Sequence, residues 1–449
     1  MSQATVHRAI DQILEMASQR RLDLEVLATA RRSTGISFQK RKMDKFNFSE
    51  TRQLGVRVLD GKHEGVAYTE SLDPESLEGV IEEALSNARV IRREWVAELK
   101  EKAPLPEMKE LYNPALDRVD PAAKIKTAAA LEARALDFDP RIQSVAYSGY
   151  GDGRAESWIA NTRGLRGSYA TNVCYGYARC LANDGPDGKV MSGDHDMARD
   201  FSELNTKRIA ETAARKTLER LGATRPRTGV YSVVFENRVA EKLIGAIANY
   251  FSAKAVDEKT SPLSDKMGQA VFAPNLTIVD DPFYAGGAGA RPFDDEGYPS
   301  MKTPLVQQGR LVAFLSNSAL ARKMKLAHTA SGARSPSSDL DVSSSNLIVT
   351  PGRSTLAELL AADSKTILIT ELMGMAGFPA ASAPFSIPVE GFLYEGGKRV
   401  APLKDFLISG NILQLFQGIE GLGNDVLAPL GTAVSPSLLV RGMNVAGRA

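Results

Sequence analysis

Histidine and cysteine are both scarce in this chain: four histidines (His7, His63, His195, His328) and two cysteines (Cys174, Cys180) among 449 residues. Two cysteines imply no disulfide framework. Six positions apart on an expected strand, they share a face but stand too far apart to bridge, so they read as reduced thiols. A Ser–His or Cys–His pair remains possible, but nothing in the spacing places one. An excess of one charge is also missing. Lys and Arg number 55 against 54 Asp and Glu, a formal charge of +1, which argues against a nucleic-acid-binding surface. Short basic clusters such as Lys40-Arg41-Lys42 read as solvated faces. No window approaches the roughly 20 apolar residues that cross a bilayer. Near the start, Asp11, Gln12 and Glu15 interrupt what would be the apolar core of a signal peptide. The expectation is a cytoplasmic protein without nucleic-acid or membrane partners.

Several catalytic signatures are absent as well. Gly286, Gly287 and Gly289 fail the G-x-G-x-x-G spacing because Pro292 stands where the third glycine belongs. No G-K-[ST] or G-x-S-x-G occurs. Ser37-Phe38-Gln39-Lys40 fits S-x-x-K, but the motifs that accompany it elsewhere are missing.

What is present is the composition of a soluble globular protein, with 43% hydrophobic and 24% charged residues, and a length that calls for two domains. Val6, Ile10, Ile13, Leu14 and Ala17 recur at helical spacing after a possible cap at Thr5. Leu54, Val56 and Val58 alternate before a hairpin turn at Asp60-Gly61. Asp73 and Pro74 open a helix whose apolar face is Leu77, Val80, Ile81, Ala84, Leu85 and Ala88. Asp120-Pro121 opens another, through Ile125 and Leu131. A strand meander follows, with turns at Gly151-Asp152-Gly153 and Asn161 to Gly164. A helix from about Asp200 to Leu221 closes this half. Gly222 to Gly229 is the boundary, giving domains of 1–225 and 229–449.

The second half is richer in strands. Hairpins are expected at Gln308-Gly309 and Gly396-Gly397, and a Ser-rich loop from His328 to Asn346 reads as exposed and mobile. The fold class is α+β: an N-terminal domain of mixed helices and antiparallel sheet, then a strand-rich domain with a central helix. Two acidic groups could carry chemistry. His195 sits among Asp194, Asp196 and Asp200, and reads as a solvated loop. Asp294, Asp295 and Glu296 read as a turn whose side chains satisfy backbone N–H groups, or as a weak cation site.

"LGVRVLDGKHEGVAYTESLDPESL", "PFDDEGYPSMKTPLVQQGRLVAFLSNSALARK", "GFLYEGGKRVAPLKDFLISGNIL" and "SPSLLVRGMNVAG" occur in this order across the chain. Together they resemble the TldD/PmbA family, in its PmbA (TldE) branch. The resemblance implies a two-domain α+β fold and a role in proteolysis. TldD-like members carry H-E-x-x-x-H early in the second domain, plus a later cysteine, to hold a metal. Two imidazoles hold zinc while the glutamate can deprotonate its water. Here Gly245, Ala246 and Tyr250 take the places of the first histidine, the glutamate and the second histidine. No histidine lies between His195 and His328, and no cysteine follows Cys180.

The resemblance therefore implies a non-catalytic subunit, binding neither metal nor cofactor. Zinc is expected in a TldD-like partner, and an unfolded peptide is held between them. Members of this kind are linked to leader-peptide removal and to turnover of a small antitoxin. Peptides that add to sheet edges would suit the strand-rich second domain. Two alternatives stand beside this reading. One is an independent hydrolase using Asp294, Asp295 and Glu296 with a hard cation; the other is a homodimeric binding or regulatory module. PmbA-like chains often show a "TGDFS"-like stretch where this one has Ala381 to Ser386, which puts a substrate-handling role for that loop in doubt.

Overall fold

The structure is a computed structural model describing residues 3–90, 98–185, 188–284, 286–374, 384–428 and 431–448. The chain begins with α1 (Gln3–Gln19), then β1 (Asp23–Gln39), β2 (Lys42–Asp60), β3 (His63–Thr69) and α2 (Pro74–Val90). After α3 (Pro121–Asp137) come β4 (Ile142–Asn161), β5 (Arg166–Asn183), β6 (Lys189–Ala198) and α4 (Thr206–Leu218). The six strands form one antiparallel sheet in the order β3-β2-β1-β4-β5-β6.

Side-chain alternation explains how the four helices share one face of this sheet. The even-numbered positions of β1, Leu24, Val26, Ala28 and Ile36, are buried with apolar residues of α1 to α4. The other face is also covered. Leu27, Ile159 and Leu165 pack on Phe293 of the second half. The alternation of Leu54, Val56 and Val58 thus describes one buried face, while Arg57 on the opposite face is 0% exposed.

Local signals account for several element ends. Asp73 Oδ1 accepts from Ser76 N–H ahead of Pro74, and Asp120 does the same for Ala122 ahead of Pro121. Asn161 Oδ1 accepts from Arg163 and Leu165 N–H in the β4–β5 turn. Other expectations need correction. Thr5 lies within α1, and the β2–β3 hairpin turns at Gly61-Lys62, since Asp60 pairs with His63. The final helix begins at Thr206 under an Asn205 cap, while Asp200 caps a separate short turn. Gly151-Asp152-Gly153 is the interior of β4, where a Cβ on Gly151 would stand 2.3 Å from the Tyr175 ring. Gly151 admits a close aromatic approach rather than a turn. The segment around His195 is a strand, the sheet-edge β6, with Asp194 and Asp196 both paired to Arg208.

The second half runs through β7 (Gly229–Phe235), α5 (Asn237–Ala246), α6 (Ala253–Asp257), β8 (Ile278–Asp280), β9 (Thr303–Gln307) and β10 (Arg310–Leu311). Next are α7 (Ser318–Met324), β11 (Gly332–Ala333), β12 (Asp341–Val342), β13 (Leu347–Val349), α8 (Leu356–Ala361) and β14 (Lys365–Leu372). The chain closes with β15 (Pro384–Glu395), β16 (Lys398–Asn411), α9 (Ile412–Gln417), β17 (Ile419–Leu422), β18 (Ala433–Val434) and β19 (Leu438–Ala446). A smaller sheet has the order β10-β9-β8-β13-β18, and the larger one β16-β15-β14-β7-β19-β17. The hairpins turn where expected, with positive φ at Gln308, Gly309, Gly396 and Gly397.

The larger sheet closes on itself. β19 pairs with β17 through Leu438 to Val440 and, beyond a register shift, with β16 through Asn444 to Ala446. Strands β16, β15, β14, β7 and β19 therefore form a ring, which leaves the short β17 as the edge strand of this sheet. The Ser-rich segment is also not an exposed loop. Thr329, Ser331, Arg334, Ser345 and Asn346 are buried, and a Cβ on Gly55 would stand 2.0 Å from Pro336 O. This segment packs on the outer face of the first sheet. Of the Ala381 to Ser386 stretch, 381–383 lie outside the described residues, and Pro384 to Ser386 begin β15.

Cys174 and Cys180 are buried and unbridged, and burial pushes both thiols up to about 12. Thiolate is the reactive form. A thiol reagent at neutral pH is expected to modify neither cysteine in the native chain and both after denaturation. Rapid native labelling, read by intact mass, would contradict this.

Candidate functional site

The helix that draws attention is α5, which follows β7 directly. Val239, Ala240, Leu243 and Ile244 form its buried face. The apolar spacing from Val239 to Phe251 suggests one continuous helix, but α5 ends at Ala246. Ile247 leaves helical geometry at φ −94, ψ 4, and Ala248–Phe251 is a 3-10 turn. The break separates the three positions of interest. Gly245 is exposed on the last turn, Ala246 is half-buried, and Tyr250 is buried in the core with Phe251. Only Gly245 opens onto a cleft.

That cleft has a volume of about 620 Å³. One wall is α5, with Arg238, Glu241, Lys242 and Gly245; another is the edge strand β6, with Gly193, Asp194 and His195. Tyr147 and Tyr177 of the first sheet and Glu371 of β14 complete much of the lining. Among the described residues, the edge of β6 finds partners near its two ends, and Ala198 O at the far end accepts from Cys174 Sγ at 3.4 Å. Thr217 Oγ1 accepts from Ser192 N–H at 3.2 Å and lies 3.2 Å from its carbonyl. With a two-residue period, Asp194 and Asp196 also turn their backbone N–H and C=O groups away from β5.

Three acids of the cleft are engaged by cations. Glu241 pairs with Arg238 at 3.0 Å, and Asp194 with Arg208 at 2.9 Å and Lys216 at 3.7 Å. Glu371 lies 3.6 Å from Arg179 and 3.7 Å from Arg220. Burial holds the Glu236 carboxyl above its ordinary value, against the pull of Lys216 and Arg220. Burial, aided by Arg238 and Lys242, holds the His195 imidazole below its ordinary value, so the ring is neutral at pH 7. The residues present do not fit a catalytic zinc. The position for the first ligand has no side chain, that for the second lies in the core, and Asp194, Glu241 and Glu371 are committed to ion pairs. Among the described residues, three ligand-type atoms come within 4.8 Å of one another only elsewhere, at Asp294, Glu296 and His328.

The run of acids at 294 to 296 divides by alternation. Asp294 and Glu296 turn inward and are 0% exposed, while Asp295 turns the other way, its Oδ2 accepting from Arg334 N–H at 2.9 Å. Asp294 Oδ1 accepts from Glu296 N–H at 3.1 Å and Tyr298 N–H at 2.9 Å; its Oδ2 accepts from Gly332 N–H at 2.9 Å. Glu296 Oε2 accepts from Ser318 N–H at 2.9 Å, and its Oε1 from the Ser318 hydroxyl. The expected turn with satisfied N–H groups is present, but it is buried rather than solvated. Burial, then Glu296, raises the Asp294 carboxyl, whereas the His328 and Ser318 neighbours outweigh burial and lower that of Glu296.

Sequence reasoning missed two participants here. His328 approaches from beyond α7, with its Nε2 4.0 Å from Glu296 Oε2. A second buried group joins the halves: Glu25 Oε1 accepts from Arg57 at 3.0 Å and from Arg334 at 2.7 Å. A charged residue between apolar neighbours, as in Leu24-Glu25-Val26, normally marks a solvent face, so only the tertiary packing reveals it. His328 had a faint signal, being the sole histidine after His195.

Three family models match in chain order. They are PmbA/TldA metallopeptidase domain 1 over 24–88, the central domain over 114–221 and the C-terminal domain over 228–447. The chain is similar to the metalloprotease PmbA of Escherichia coli, 26% identical over 99% of this chain and 96% of that one. It is also similar to a PmbA homologue of Haemophilus influenzae, 24% identical over 94% and 92%. A solved Thermotoga maritima protein, named as a candidate modulator of DNA gyrase, superposes with a TM-score of 0.91 at 27% identity, covering 98% of this chain and 100% of that one. TldE of Thermococcus kodakarensis shares the fold, with a TM-score of 0.86 at 21% identity, covering 98% and 100%.

Proposed function

Because the chain belongs to the PmbA/TldD metallopeptidase family, we propose that it is the non-catalytic subunit of a two-component peptidase acting on unfolded peptides. The partner is a TldD-like chain that supplies the zinc, and this chain supplies part of the enclosure. What supports the reading is α5: the helix is retained as packing, while Gly245 presents no ligand to the cleft. The cleft suits an extended main chain. It combines the open edge of β6 with two tyrosines and balanced, paired charges, so recognition runs through backbone hydrogen bonds rather than one required side chain. We take the peptide edge to be β6 of the first sheet because it borders the cleft that Gly245 opens onto, whereas most strands of the larger second-half sheet close into a ring.

Cleavage of an unstructured leader-type peptide tests this in three reactions: this chain alone, a TldD-like chain alone, and both. Activity confined to the mixture and lost with a chelator is the expected result. Activity of this chain alone that disappears in Asp295→Asn would establish the independent hydrolase instead. Absence of activity in every reaction, with no association between the chains, would leave a homodimeric binding module.

A further inference from the structure

We propose that Asp294, Glu296 and His328 form a divalent-cation site, separate from the cleft, suited to a first-row ion with mixed nitrogen and oxygen ligands, zinc foremost. Imidazole and carboxylate together suit zinc, manganese or iron better than calcium, which takes oxygen alone. One ligand-type atom from each of the three residues lies within 4.8 Å of the others. His328 Nε2 is buried and has no hydrogen-bond partner, although its side chain as a whole is 24% exposed. At 4.0 Å from Glu296 Oε2 it is too far for a hydrogen bond. On a tetrahedral zinc with bonds of about 2 Å, two ligand atoms stand about 3.3 Å apart, so binding would draw His328 Nε2 toward Glu296 by less than about 1 Å.

The surroundings are those of oriented ligands. Three backbone N–H groups fix Asp294, and Ser318 fixes Glu296 through both its N–H and its hydroxyl. Such outer partners hold carboxylates in position for a metal. Gly332 makes the approach possible: a Cβ there would stand 2.8 Å from Glu296 Oε2 and 3.0 Å from Asp294 Oδ2. The nearby Arg57 hydrogen-bonds to Glu25, at 3.0 and 3.2 Å, so it acts on Glu296 through its charge and leaves the carboxylate oxygens to other partners. A pocket of about 320 Å³ beside His328 and Tyr298 offers an entry path and room for a water ligand. An ion here would tie the 294–298 turn to the start of α7 and to the segment that carries Arg334 into the first half.

The test uses this full chain alone, stripped with a chelator and dialysed, then titrated calorimetrically with zinc and with manganese while thermal unfolding is followed. The expected result is about one equivalent of zinc, a raised unfolding midpoint, and loss of both in His328→Ala and Asp294→Asn. His328→Ala removes a partly exposed side chain, and circular dichroism separates loss of metal from loss of fold. His7→Ala should bind as the parent does. Absence of saturable binding by either ion, or undiminished binding in His328→Ala, would overturn the proposal.

Discussion

Replacing Glu25 with alanine should cost the chain about 3–5 kcal/mol, the range for breaking a buried ion pair from one side. Glu25 and Arg57 are 0% exposed, and the side chain of Arg334 is equally buried. Arg57 donates to Glu25 Oε1 at 3.0 and 3.2 Å, and Arg334 donates to the same oxygen at 2.7 Å. One carboxylate therefore accepts from two guanidinium groups, with Glu64 3.7 Å from Arg57 as a further acid beside them. Removing Glu25 leaves Arg57 with longer-range partners and Arg334 without its carboxylate, in a medium too apolar to solvate them, and burial already pulls the Arg334 guanidinium below its ordinary value.

The asymmetry of the triad supplies the control. Arg334→Met removes one cation but leaves Glu25 paired with Arg57, so it should cost well under half as much. Glu25→Gln should fall between them, since an amide oxygen can still accept while the charge is lost. The triad bridges the two halves, because Glu25 and Arg57 lie in the first sheet and Arg334 in the segment packed on it. Chemical denaturation of the alanine variant should accordingly shift the transition of the whole chain. A cost below about 0.5 kcal/mol for Glu25→Ala, or an equal cost for Arg334→Met, would show that the triad does not hold this interface.

How far the sequence could be read follows from the range of the forces involved. Helix α2 is legible because Asp73, Pro74 and the apolar period act within one turn of chain. The Gln308-Gly309 and Gly396-Gly397 hairpins are legible because positive φ selects those residues locally. Strand β6 is not: its Asp194 and Asp196 resemble loop residues until Arg208 of α4 is brought beside them. The Ser-rich segment fails for a related reason, since its burial depends on the fit of Pro336 against Gly55 in a distant strand. At the site, α5 and its Gly245 could be placed through the family resemblance. The end of α5 at Ala246, which sends Tyr250 into the core, could not, because the apolar pattern runs unbroken across it. The inward and outward division of Asp294, Asp295 and Glu296 needs only alternation, but the arrival of His328 needs the whole domain.

Filling the cleft at Gly245 should separate peptide binding from folding. The glycine is not in a left-handed conformation, and the nearest atom to an added Cβ is Ala433 Cβ at 3.9 Å. Gly245→Ala is therefore expected to stabilise the chain by about 0.5–1 kcal/mol, the usual gain within a helix, and to leave peptide cleavage by the two-chain mixture intact. Gly245→Trp starts from the same open position but projects an indole into the cleft, between α5 and the edge of β6. Because the side chain leaves the core untouched, unfolding should stay close to that of the parent. An extended peptide would lose access to the β6 edge, and cleavage by the mixture should fall at least tenfold, about 1.4 kcal/mol in transition-state stabilisation. The loss should follow peptide length: a short peptide reaching only the partner's zinc should be cut nearly as before, and a long one should not. Equal cleavage of long peptides by the tryptophan variant, with the chains still associated, would mean that the cleft at α5 lies off the peptide's path.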